Sequence, residues 1–174
     1  MKKGTLYYIT GLSGAGKTTI GTMLYNFIRE KKSNVVFLDG DILREVYANT
    51  DYTPEGREKV AYQNLRLCRM LVNQGIDVVG CFIGMYDRYR EWSRENIENY
   101  IEIYLKVSIE ELIRRDAKGL YKKALAGEIK NVYGIDMPYE EPKTPNIVIY
   151  NEGTIGTEDA VRKIIEQFVP EDRL

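Results

Sequence analysis

The stretch Gly11-Leu-Ser-Gly-Ala-Gly-Lys17-Thr18 has the spacing G-x-x-x-x-G-K-[ST], a pattern that cradles phosphate. Its glycines let consecutive backbone N–H groups turn toward an anion, and a helix starting at the lysine adds the partial positive charge of its N-terminus. In that arrangement Gly11, Ser13, Gly14, Ala15, Gly16, Lys17, Thr18 and Thr19 hold ATP, with Lys17 at the β- and γ-phosphates and Thr18 on Mg²⁺. A second cluster, Asp39-Gly40-Asp41 followed by Arg44, offers two carboxylates and a guanidinium. One carboxylate can orient or deprotonate an acceptor hydroxyl while the other holds Mg²⁺ through water. Asp41 is assigned the first task and Asp39 the second. The chain has no histidine, so the chemistry falls to carboxylates, lysines, arginines and bound Mg²⁺.

Both clusters need elements that aim them at one point. β-rich runs at Leu6–Thr10, Asn34–Asp39, Asp77–Ile83, Tyr100–Lys106 and Asn146–Tyr150 alternate with helical patterns. The first run leads into the phosphate pattern and the second ends at Asp39, which places both clusters at carboxyl ends of strands, where open α/β sheets bind ligands. Ile20, Leu24, Phe27 and Ile28 share one helical face, and Ala61, Leu65, Cys68 and Val72 share another between Pro54 and Gly75. Ser108 and Glu111 have the spacing of a capping box. Thr157, ahead of Glu158 and Asp159, is the expected N-cap of a last helix that buries Val161, Ile164, Ile165 and Phe168. The expected fold class is α/β, a three-layer, doubly wound, parallel five-stranded sheet. Residues 116–144, polar and punctuated by glycine, read as a mobile flap outside the core, and the 174 residues suit one domain over 1–174.

Composition excludes several classes. Lys plus Arg number 25 against 26 Asp plus Glu, so no strong field steers the chain to nucleic acid or an anionic membrane. No apolar run approaches a membrane span and the start lacks a secretory pattern, so a cytoplasmic enzyme is expected. Cys68 and Cys81 lie in apolar patterns without the spacing of a metal clip and read as core thiols. Tyr86, Tyr89 and Trp92 read as core or dimer-surface packing, and the alternating charges of 87–98 as a solvated helix face. Without an N-K-x-D signature or a D-x-x-G strand end, the phosphate pattern points away from switch GTPases.

The motifs together resemble adenylylsulfate kinase. The resemblance rests on Gly11 to Thr18, on Leu38-Asp-Gly-Asp41 with Arg44, on Cys81-Phe-Ile83, and on Arg115-Asp-Ala-Lys-Gly-Leu-Tyr-Lys-Lys-Ala124 continuing through Gly127–Asn131 and Gly134–Glu140. It implies a P-loop kinase that uses Mg-ATP to phosphorylate the ribose 3′-hydroxyl of adenylylsulfate, commonly as a homodimer. It also implies a lid over 115–139 that closes on both nucleotides, with Arg115 near ATP and Lys118, Gly119 and Leu120 near the phosphates or the acceptor. Arg44 and Arg57 match positions that grip the acceptor's phosphate–sulfate end, and Phe82 and Ile83 match its pocket wall. Tyr52 and Val132 stand where two phenylalanines sandwich the adenine.

The departures from that family gather on the acceptor side. Ile42 and Val60 replace asparagines, Tyr62 replaces an arginine, Val132 removes one aromatic wall, and Gly84-Met85 replaces Ser-Pro. A lost stacking wall costs about 1 to 3 kcal/mol per base. A pyrimidine nucleotide with a pyrophosphate-like tail is therefore the rival acceptor, as in cytidine diphosphoramidate kinases. A nucleotide-binding module without turnover is the alternative of another class.

Overall fold

The computed structural model describes residues 2–116, 118–153 and 155–169. In chain order the elements are β1 (Leu6–Thr10), α1 (Lys17–Lys31), β2 (Val35–Asp39), α2 (Gly40–Val46), α3 (Pro54–Asn73) and β3 (Asp77–Phe82). There follow α4 (Asp87–Asn96), β4 (Tyr100–Lys106), α5 (Ile109–Arg115), α6 (Leu120–Leu125), β5 (Ile147–Tyr150) and α7 (Thr157–Phe168). The sheet runs β2-β3-β1-β4-β5 with every pairing parallel. β1 is central and all its residues are buried, because a parallel strand flanked on both faces has no wet side. Alternate β1 side chains serve opposite layers. Tyr7 and Ile9 pack with Ile20, Leu24 and Ile28 of α1 and Val161 and Ile164 of α7. Leu6 and Tyr8 pack with Leu65, Cys68 and Val72 of α3 and Tyr89 of α4. The five-stranded α/β expectation holds, and strand bounds move by one residue at Asn34, Ile83 and Asn146.

Local expectations fared less evenly. The N-cap of α7 is Gly156, with no side-chain hydrogen bond, and Thr157 is already helical. Ser108 caps α5 by accepting from the Glu111 amide at 3.4 Å, but the return half of the box is missing. Glu111 is drawn instead to Arg114 and Arg115, and the Ser108 amide donates to Glu152. A guanidinium offers a carboxylate stronger bonds than one amide does. Phe27, Ala61, Ile165 and Phe168 are only half-buried.

Two larger corrections concern charge and the lid segment. Within the supposed solvated run, Arg90 has no exposed surface. It donates to the carbonyls of Gly84 and Glu140 and pairs with Asp87, close to the equally buried Glu102. Stretch 116–144 is not outside the core either, since Tyr121, Val132, Tyr133 and Met137 join the cluster under α1 and α7. Tyr89 is buried, whereas Tyr86 and Trp92 are half-buried. Both cysteines are free and buried, and burial pushes each thiol up to about 12. Among the described residues no helix is long and apolar enough to cross a membrane.

Candidate active site

The phosphate loop occupies 11–16, between the end of β1 and the start of α1. Gly16 has φ 94°, in the left-handed region, and a Cβ there would lie 2.6 Å from Asn151 Nδ2. That amide donates to the Ala15 carbonyl at 2.9 Å, so Asn151, just past the edge strand β5, braces the loop from two strands away. The Lys17 ammonium folds back onto the Leu12 carbonyl at 2.8 Å. Enclosure pulls it down to about 8, against the opposing effect of Cys81, Asp41 and Asp39. The Thr18 hydroxyl donates to Asp39 Oδ2 at 2.7 Å, while Asp39 Oδ1 accepts from the Asp41 amide at 2.9 Å and caps α2. These groups line a cleft with Ser13, Gly14, Thr19 and Lys118.

Asp41 is shared by this cleft and a second one. Its carboxylate is exposed and meets Lys118 Nζ at 2.7 Å, and that bond holds the lysine above its usual range. In the second pocket Arg44 stacks over the Tyr52 ring at 4.3 Å and also donates to Asn49 and to the Asp51 carbonyl. Arg57 lies over both Tyr52, at 5.3 Å, and Tyr133, at 4.9 Å. It donates to the carbonyls of Tyr52 and of Asn131, in the lid segment. Behind these cations the wall continues through Val60, Asn64, Phe82, Gly84 and Tyr8. This pocket encloses only about 80 Å³, well below the ~300 Å³ of an ordinary small-molecule site. A narrow gap lined by Ser13, Ile83, Leu120 and Val132 joins the two regions.

A triphosphate cradle facing an exposed carboxylate, with arginines beyond it, suits phosphoryl transfer between two bound nucleotides. Residues 3–150 match the family described as adenylylsulphate kinase. The chain belongs to the adenylylsulphate kinase family. It is an ATP-dependent phosphotransferase with the P-loop kinase fold. The cytidine diphosphoramidate kinase of Campylobacter jejuni subsp. jejuni serotype O:2 is 39% identical over 93% of this chain and 95% of its own. A probable adenylyl-sulfate kinase of Aeropyrum pernix is 40% identical over 87% and 86%. The structure of the Mycobacterium tuberculosis APS kinase in complex with AMPPNP and APS superposes with a TM-score of 0.89 at 27% identity, covering 98% of this chain and all of that one.

Against this adenylylsulphate kinase background the expected site residues fall into groups. Ser13, Gly14, Gly16, Lys17, Thr18, Thr19, Asp39, Asp41, Ile83 and Lys118 meet at the phosphate cleft, and Arg44, Tyr52, Arg57 and Phe82 at the second pocket. Gly11 and Ala15 are buried parts of the loop itself and add no side chain to the cleft wall. Arg115 also stays off the cleft wall, held by Glu111 and the Asn151 carbonyl. Gly119 forms the turn before α6, Leu120 lines the connecting gap, and Val132 is buried there. Sequence reasoning missed Asn151, Tyr133, Asn64 and Tyr121, whose hydroxyl donates to the Ser13 carbonyl at 2.8 Å. A polar residue directly after a strand's carboxyl end was the available signal for Asn151. Asn64 stood in an otherwise apolar helical stripe, and Tyr133 directly followed the lost aromatic position.

Proposed function

We propose that this kinase transfers the γ-phosphoryl of Mg-ATP to the ribose 3′-hydroxyl of adenylylsulfate. The observation that carries the reading is Asp41, a carboxylate shared by the phosphate cleft and the arginine-lined pocket. Backbone amides of 11–16 with Lys17 bind the triphosphate, and Arg44 and Arg57 bind the acceptor's charged tail. Asp41 orients the 3′-hydroxyl or accepts its proton, and Lys118, now tied to Asp41, transfers to the phosphoryl oxygens once nucleotide enters. The lid, 115–139, closes as part of a single domain over 1–174 and excludes water. Thr18 Oγ1 and Asp39, 2.7 Å apart, are hard oxygen donors that suit Mg²⁺, an ion usually held by one or two protein groups and phosphate oxygens. When bound, the ion neutralises charge on the transferring phosphoryl. We further propose a homodimer acting in the cytoplasm, with sedimentation and cell fractionation as the checks.

A second reading, cytidine diphosphoramidate as acceptor, draws support from the Campylobacter relative and from the altered acceptor wall of Val60, Gly84 and Val132. An acceptor screen with coupled ADP detection separates the two. ADP release with adenylylsulfate and none with cytidine diphosphoramidate supports the first; the reverse establishes the second. No ADP above background with any acceptor returns the chain to a binding module.

A further inference from the structure

Asn64 sits on α3 and lines the deep wall of the acceptor pocket, 5% exposed. Its Oδ1 atom is shut off from solvent and accepts no hydrogen bond. An orphaned buried carbonyl is unfavourable, and a leucine of similar shape at this site would carry no such penalty. The neighbouring wall is shaped to match. Gly84 has no Cβ, and one placed there would fall 1.7 Å from the Tyr8 hydroxyl, so the glycine makes room for a phenol at the same end of the pocket. Burial holds that phenol above its usual range, hence neutral. Among the described residues the cations lining the pocket are Arg44 and Arg57, both over the Tyr52 ring, while Arg90 lies behind the Gly84 wall and donates to its carbonyl.

We propose that Asn64 is a specificity-determining residue whose Oδ1 receives an N–H donor from the acceptor nucleotide. The inference rests on the phosphoryl-transfer reading above and deepens it. A sulfate end presents only acceptor oxygens to this atom and cannot satisfy it. Two groups on a nucleotide can: the nitrogen of a terminal phosphoramidate, or the exocyclic amine of cytosine or adenine. The chemistry demanded is the same, an N–H aimed at a buried carbonyl oxygen.

Asn64→Leu, compared with the unmodified protein, tests this through kcat and KM for cytidine diphosphoramidate, cytidine diphosphate, uridine diphosphoramidate and adenylylsulfate, with thermal unfolding alongside. The unmodified kinase is expected to favour the N–H-bearing member of one pair by about tenfold or more in kcat/KM. The variant is expected to lose that preference, mainly through KM, while its Tm stays level or rises. A preference for the diphosphoramidate over the diphosphate that vanishes in the variant assigns the donor to the terminal nitrogen. A cytidine-over-uridine preference that vanishes assigns it to the base. Preferences retained in the variant, or an equal fall for every acceptor with a lower Tm, overturn the proposal. If the unmodified protein turns over none of the four, the functional reading fails and this inference falls with it.

Discussion

Lys17 carries a positive charge inside a loop built to receive negative charge, and its ammonium donates to the Leu12 carbonyl. Burial places its folded pKa near 8, below the ordinary value of 10.5. Below pH 8 the ammonium is charged in folded and unfolded chains alike, and its burial weakens the fold. Between about 8 and 10.5 the unfolded chain binds more protons, so this penalty fades as pH rises. Arriving phosphates reverse the shift. ATP binding at pH 8.5 is therefore expected to take up a fraction of a proton, with uptake vanishing near pH 6. Calorimetry in buffers of different ionisation enthalpy measures it, and Lys17→Arg removes it. Lys17→Ala is expected to abolish transfer. Asp41→Asn keeps ATP binding but lowers kcat by about 10²-fold or more, in line with loss of a positioned base; near-normal turnover would remove Asp41 from the proposed role.

At the scale of elements, the site is a meeting of strand ends held by cross-braces. Asn151 after β5 fastens the phosphate loop through Ala15 and, by its own carbonyl, holds Arg115 at the end of α5. Asn151→Ala removes one hydrogen bond and opens space beside Gly16. We expect it to raise the KM for ATP several-fold with kcat less affected, as steady-state kinetics will show. The lid segment is tied in its C-terminal part: Arg57 of α3 grips the Asn131 carbonyl, and Asp136 closes the turn there by accepting from the amides of Asn131 and Val132. Arg57 also lies over the rings of both Tyr52 and Tyr133. Ser108→Ala, which deletes the cap of α5, is expected to cost about 1 kcal/mol in denaturant unfolding, with little change in turnover.

On the scale of the whole molecule, two apolar layers clamp one parallel sheet, and a buried ionic knot locks the rim. Arg90 links the Gly84 carbonyl after β3, Asp87 of α4, Glu102 of β4 and the Glu140 carbonyl at the end of the lid segment. Arg94 and Tyr100 complete the pairing of Glu102. Arg90→Met leaves Glu102 buried beside fewer cations, for which a loss of about 3–5 kcal/mol is expected. Thermal unfolding reads that loss. Double replacement of Arg90 and Glu102 by apolar residues should recover much of it.

The elements that carry the chemistry were legible in the chain because their signals are local. A glycine pattern between a strand and a helix, apolar runs for strands covered on both faces, and the D-G-D exit loop each depend on residues close in sequence. Partners far apart along the chain left no such trace. Glu111 and Ser108 had the spacing of a reciprocal cap, yet two arginines outcompeted the amide. The charges of α4 alternated like a wet surface, yet Arg90 turned inward because Glu102, on another strand, was there to meet it. So the amino-acid order by itself determined the parallel sheet, the phosphate cradle and the kinase family. Only tertiary structure decided that Asn64 lines the arginine-bearing pocket with an orphaned carbonyl oxygen and that Tyr133 faces Arg57, because burial and pairing arise between segments that meet only when folded.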